Sequence, residues 1–396
     1  MKCCVVALAS LLVSLSLEGA SAFTVFPTQP RRGLSALIVV AYAQQPRVGI
    51  GQWLLDQALN SPLWTFLLVP QARQKIVSTA EENGIEWNYC KAWLAANDGP
   101  WQAKVDMDIS HVPEYYKQAF HAYQDGNLCW EAALEVELAS AAVGARNFPA
   151  YGKDGETAFR SSFEVALDEI GAHVRDGDVI VDLGCGTGMS TRRIARKYPQ
   201  ASKIIGIDLS PYFIQVGKSL LKLSPKSRQE GGEWVSTITN DARIDYRVGD
   251  AANTKEQDNS VDICNLQFVA HELPHSITRD IIQEAHRILK PGGQLWFCEM
   301  DFESPGFSKQ RANPLLFSLI RATEPYLDAY ADHSLELRET LKNTFGHTII
   351  TSATGRHFAG IATKGGDGGL EDLRFDKDGN YRVEDTHLKV WENRKA

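Results

Sequence analysis

The chain has 396 residues, enough for one large domain with additions or for two domains. Its 44% hydrophobic and 23% charged content fits a folded globular protein rather than a fibrous or disordered one. A formal net charge of −8 excludes the broad basic footprint of a nucleic-acid binder, so no such partner is expected.

Residues 1–22 read as a signal peptide: Lys2, an apolar core, and the small-residue site A-S-A before Phe23. Residues 23–46 read as a transit-peptide-like leader, because no Asp or Glu occurs from Phe23 to Leu55 while Arg31, Arg32 and Arg47 add positive charge. The leader predicts the plastid stroma, with simple secretion or the thylakoid lumen (from Arg31-Arg32) as alternatives. Of seven cysteines, Cys3 and Cys4 leave with it. Cys90, Cys129, Cys185, Cys264 and Cys298 remain, an odd number without C-x-x-C spacing, so they read as small buried apolar residues and no metal is expected.

Residues 47–150 form a mostly helical cap region holding six of the nine tryptophans. Helices are expected near Leu54–Leu59 and over 127–142. Between them 114–128 crowds Tyr115, Tyr116, Phe120, His121 and Tyr123 into one aromatic segment. Tyr116, His121 and Tyr123 are candidate substrate contacts, the alternative being that these rings are the cap's own core.

Residues 151–365 carry the main domain, opened by a helix over 156–173. The stretch from Asp178 reads D-V-I-V-D-L-G-C-G-T-G: a strand buried on both faces, an acid, three alternate glycines, then a helix over 189–197. G-x-G-x-G is not the dinucleotide pattern G-x-G-x-x-G, since Met189 stands where its third glycine belongs. Strand two, 203–208, ends in Asp208, 20 residues past Gly188. Here the chain resembles the class I S-adenosylmethionine-dependent methyltransferases, with a type 11, UbiE-like domain, and the cap resembles that of an uncharacterised group of plant and algal plastid methyltransferases.

The resemblance implies an α/β, Rossmann-like, seven-stranded, mostly parallel sheet with helices on both faces, an antiparallel last strand and an N-terminal helical cap. It implies S-adenosyl-L-methionine as cofactor, with Asp182, Gly184, Cys185, Gly186 and Gly188 in the glycine loop, Asp208 and Leu209 at the ribose, Asp250 and Ala251 at the adenine, and Gln267 nearby. Further along, Ser210-Pro211 predicts a helix start, 224–242 a loop without assigned role, 244–249 and 260–267 strands three and four, and Ser276 the cap of a helix. K-P-G-G at 290–293 precedes strand five; helices over 314–330 and 335–344 and a hairpin over 347–363 follow, and 366–396 reads as an exposed polar tail.

Methyl transfer is an in-line displacement and needs a base only where the acceptor must lose a proton. The loop after strand four lies where reacting ligands sit in such sheets, so His271 is the candidate base and Glu272 its orienting partner or substitute. Phe268 is expected against the adenine. The reading is a methyltransferase for a small, apolar or aromatic plastid metabolite, with peripheral contact to a thylakoid or envelope membrane and no obligate protein partner. The alternatives are an S-adenosylmethionine-binding regulatory or assembly protein without turnover, and a nicotinamide oxidoreductase on the same fold.

Overall fold

The computed structural model describes residues 69–97, 99–121, 123–230, 240–312, 317, 320 and 323–382. The leader, the helix expected near Leu54–Leu59 and most of the helix expected over 314–330 lie outside these residues. Among them, no helix is long and apolar enough to cross a membrane, and the five cysteines form no disulfide.

Eight strands form one sheet: β1 Val179–Leu183, β2 Lys203–Asp208, β3 Ile244–Val248, β4 Val261–Gln267, β5 Leu289–Met300, β6 Gly346–Thr354, β7 His357–Lys364 and β8 Gly369–Asp372. Their order is β3-β2-β1-β4-β5-β7-β6-β8. β1 to β5 pair in parallel, and β7 runs antiparallel to both neighbours. The order reverses beside β1, so the carboxyl ends of β1 and β4 flank the crevice where ligands bind in open α/β sheets.

Why the strands are apolar throughout is visible in their two faces. Val181, Leu183, Ile205, Ile207, Cys264 and Leu266 join one buried cluster, while Ile180, Ile204, Ile263 and Trp296 join the other. Alternate residues point to opposite faces and both faces are covered.

Three cap helices come first: α1 Val69–Glu82, α2 Trp87–Ala96 and α3 Trp130–Asn147. Then come α4 Gly155–Glu169, α5 Met189–Lys197, α6 Pro211–Leu221, α7 Pro225–Glu230, α8 His275–Ile288, α9 Pro305–Arg311, α10 Leu327–Asp332 and α11 Ser334–Phe345. Ser210 starts α6 as expected: its hydroxyl accepts the Phe213 N–H at 3.2 Å, with Pro211 at the first helical position. The cap's Leu94, Trp101, Val112 and Leu128 bury against Tyr212, Phe213, Val216 and Leu220 of α6.

Four expectations are corrected. The sheet has eight strands, not seven, and the segment read as an exposed tail supplies the eighth. β8 pairs in parallel with β6, and beyond it Arg374 is 2% exposed, ion-paired to Asp301, Glu303 and Asp372. Asp372 and Arg374 answer each other, and Arg374 the acids just past β5, rather than water, while residues 383–396 of that tail lie outside the described residues. Within the loop read over 224–242, residues 225–230 are helical. Ser276 caps nothing: α8 starts one residue earlier, behind extended Pro274. Finally, K-P-G-G lies inside β5, because Leu289 already pairs with Val261 and a bulge beside Val261 absorbs the shift.

Candidate active site

The glycine loop follows β1 with Gly184, Gly186 and Gly188 at φ of +70°, +58° and +89°. Gly188 tolerates no side chain, since a Cβ there would lie 1.8 Å from the Tyr246 hydroxyl oxygen. That hydroxyl donates to the Gly188 carbonyl at 3.2 Å. At Gly186 the nearest atom to a Cβ would be on Phe213, 3.9 Å away, so bare backbone there faces open space.

Asp182 is buried and fully engaged. It accepts the hydroxyls of Ser190 at 2.7 Å and Thr191 at 2.6 Å, and the Asn265 amide at 2.7 Å. It thus ties the first turn of α5 to β1 and β4, and burial pushes its carboxyl up against those bonds. Cys185 is also buried, its thiol directed at the Gly186 carbonyl at 3.6 Å, and burial pushes it well above its ordinary value.

Asp208, at the tip of β2, accepts the Gly186 N–H at 2.9 Å, the Ser210 N–H at 2.8 Å and the Tyr116 hydroxyl at 3.3 Å. Burial lifts it to about 6, although these three donors favour the anion. Leu209 and Ala251 are buried beside it and beside Asp250 respectively. Asp250 accepts the Ala252 N–H at 2.8 Å in a turn after β3. The neighbouring tyrosines of the cap divide between these acids: burial first, then Asp250 for Tyr115 and Asp208 for Tyr116, raises each phenol. Tyr115, Tyr116, Phe120, Asn127, Glu272 and Tyr326 are among the walls of one open cavity.

The loop after β4 turns at Phe268, φ +58°, and runs through a 3-10 turn, Ala270–Glu272. His271 is buried, with Nδ1 against the Glu299 carboxylate at 2.8 Å and 2.9 Å, and its backbone N–H donates to the same group. Burial favours the neutral ring, but Glu299 outweighs it and lifts His271 to about 10. The ring is therefore a cation at neutral pH, contrary to the expectation that it titrates there. Glu272 is pushed up to about 7, by burial first and against the pull of His121 and His271, with Glu324 and Glu299 adding to the rise. Its oxygen lies 3.9 Å from Nε2 of each histidine. His121 Nε2 meets Glu324 at 2.8 Å; burial opposes its charge, yet Glu324 raises it.

The structure brings Tyr116, His121, Glu272 and His271 together but packs Tyr123 and Phe268 elsewhere. Tyr123 donates its hydroxyl to buried Glu135 and lies under Arg73, so it belongs to the cap's own network. The Gln267 amide donates to Asn265 at 2.9 Å and accepts from Arg160 at 3.3 Å, and Asn265 in turn donates to Asp182, so Gln267 stays linked to the acid of the glycine loop. Phe268 stacks on Phe159 and meets Phe163 and His357 edge-on in the core. Sequence reasoning missed Glu299, Glu324 and Glu137. Glu137 accepts from Thr187 and from Arg192, each at 2.7 Å, and so fixes the cap to the glycine loop. An acid inside an apolar run, as in W-F-C-E-M and L-E-V-E-L, was the available signal for Glu299 and Glu137.

Residues 181–297 match the family model described as a methyltransferase domain. The chain is 28% identical over 126 residues to a ubiquinone/menaquinone biosynthesis C-methyltransferase of Hydrogenovibrio crunogenus, covering 32% of this chain and 43% of that protein. It is 31% identical over 122 residues to a demethylmenaquinone methyltransferase of Symbiobacterium thermophilum, covering 31% and 42%. A crystal structure of a SAM-dependent methyltransferase from Methanosarcina mazei aligns with TM-score 0.34 and 19% identity over 50% of this chain and 96% of that one. The chain thus spans about two fifths of the length of these curated relatives. It carries a methyltransferase domain.

Proposed function

We propose that this methyltransferase domain works with S-adenosyl-L-methionine, and that the protein methylates a small apolar or aromatic acceptor: a quinone, phenol or pigment precursor of the plastid. The observation that carries the reading is the pairing of Asp208 with Gly186. A buried carboxylate that already accepts one hydroxyl, that of Tyr116, stands beside the one loop glycine with open space above it. A ribose hydroxyl offers Asp208 the same donor chemistry, and only bare backbone admits a nucleoside so close. Asp250 and Ala251 would take the adenine edge, while Asp182 acts by holding the loop. The aromatic walls Tyr115, Tyr116, Phe120 and Tyr326 suit a flat, apolar acceptor, and the quinone methyltransferases among the relatives favour the same class.

When bound, the sulfonium supplies an electrophilic methyl group. Glu272 is the residue of this chain suited to receive the acceptor's proton, because its carboxyl titrates near 7 and it lines the cavity. His271, cationic and clamped by Glu299, instead holds Glu272 electrostatically and takes no proton. His121 does the same from the cap side.

Incubating the purified protein with methyl-labelled S-adenosylmethionine and a plastid lipid extract should put label into an extractable apolar product. Saturable cofactor binding with no transfer to any fraction would favour the second reading, a regulatory or assembly protein. That reading draws on one observation: Tyr116 already occupies Asp208, so the cap closes over the binding residue. Protection against melting by NAD rather than by S-adenosylmethionine would favour an oxidoreductase. The leader motivates a stromal location with peripheral contact at the thylakoid or envelope membrane; a fluorescent fusion to residues 1–46 that is secreted would overturn it.

A further inference from the structure

Outside the cleft, the first residue of α8 meets the corner between α10 and α11. His275 and His333 lie face to face, ring centroids 4.4 Å apart and planes within 17°. Nε2 of His275 and Nδ1 of His333 are each 3.1 Å from Oε2 of Glu336, and the three ligand atoms all lie within 4.8 Å of one another. The distances are informative. Two ligand atoms each about 2 Å from a tetrahedral centre are separated by roughly 3.3 Å, so both nitrogen–oxygen spacings already match those of a bound zinc-class ion. A second observation concerns His333: its Nδ1 is shut off from solvent yet makes no hydrogen bond, although it lies 3.1 Å from Glu336. A ring nitrogen shut off from solvent, without a hydrogen bond and beside a carboxylate and a second imidazole, can offer its lone pair to a metal ion.

We propose that His275, His333 and Glu336 bind a divalent transition cation of the zinc class, with water or an external ligand in the open position. The set is two imidazoles and one carboxylate, which suits such ions and not calcium or magnesium. It was invisible to cysteine arithmetic and to local spacing, since His275 and His333 are 58 residues apart (333 − 275). Its position gives it a consequence. α8 follows the Glu272 loop and α10 follows Glu324, so the ion would pin together the two segments that carry these acids.

The test uses the full chain without a histidine tag, stripped with chelator and titrated with zinc ion alone, then with cobalt ion followed by visible absorption. One equivalent should bind, raise the melting temperature, and give the intense d–d bands of a four-coordinate cobalt site. Glu336→Gln and His333→Asn should each weaken binding by about tenfold or more and abolish those bands. Both side chains are substantially exposed, so the folds of these variants should survive, as their circular dichroism would show. His173→Ala, at an exposed histidine elsewhere, should bind as the parent does. No stoichiometric binding at micromolar zinc, or binding unaffected by both substitutions, would overturn the proposal. None of these readouts depends on methyl transfer, so they stand or fall independently of the proposed activity.

Discussion

The two halves of the cleft hold their carboxylates by different means. Around Asp208 the partners are neutral: two backbone N–H groups and a tyrosine hydroxyl. Around Glu272 they are ionised, with two histidines at 3.9 Å and Glu299 and Glu324 behind them. Fixed neutral dipoles recognise a hydroxylated ligand without changing charge. A cluster of coupled charges instead sets the protonation of one member, so that a proton can arrive or leave at moderate cost. The first half is built to bind and the second to transfer.

The largest effect expected from this division is on turnover. Glu272→Gln should lower kcat by roughly 10²- to 10⁴-fold while leaving the cofactor's Kd unchanged. In the parent, kcat should rise with pH through about 7, because the base must be ionised and its carboxyl is held up near that value. A flat profile, or a glutamine variant at full rate, would erase the contrast. Next in size, Asp208→Ala should weaken cofactor binding by about 2–3 kcal/mol, since it removes an acceptor and strands two N–H donors. Parent affinity should also decline as pH falls through about 6, where Asp208 gains a proton; calorimetry across that range checks both.

Glu299→Gln should act on stability more than on binding. The folded-state value of His271 is raised, so its contribution is complete below an ordinary histidine's 6.5 and is lost as pH climbs through about 10. Melting temperatures should show that alkaline decline in the parent and a flatter profile in the variant. Smallest of all, Tyr116→Phe removes the hydroxyl that competes for Asp208. It should tighten cofactor binding by about 0.5–1.5 kcal/mol; weaker binding would mean that Tyr116 helps hold the ligand.

The glycine loop, the acids closing β1 and β2, and the Ser210–Pro211 helix start were legible because each is written in consecutive residues. The same holds for the two-faced strands. Tyr123 was misplaced for the opposite reason. Which partner a long polar side chain chooses depends on what folds beside it, here Glu135. Residues 369–374 of the tail were misread because charges of both signs look solvated in the sequence but pair internally at Asp372 and Arg374.

By itself the sequence determined the sheet, its crevice and the bare-backbone bend at Gly186, since apolar periodicity and glycine's freedom act over a few bonds. Only the tertiary structure decided that His271 is charged, that Glu272 titrates near 7 and that Tyr116 reaches Asp208. A buried group's charge state is set by carboxylates and hydroxyls through space, and Glu299, Glu324 and the cap arrive there from distant parts of the chain.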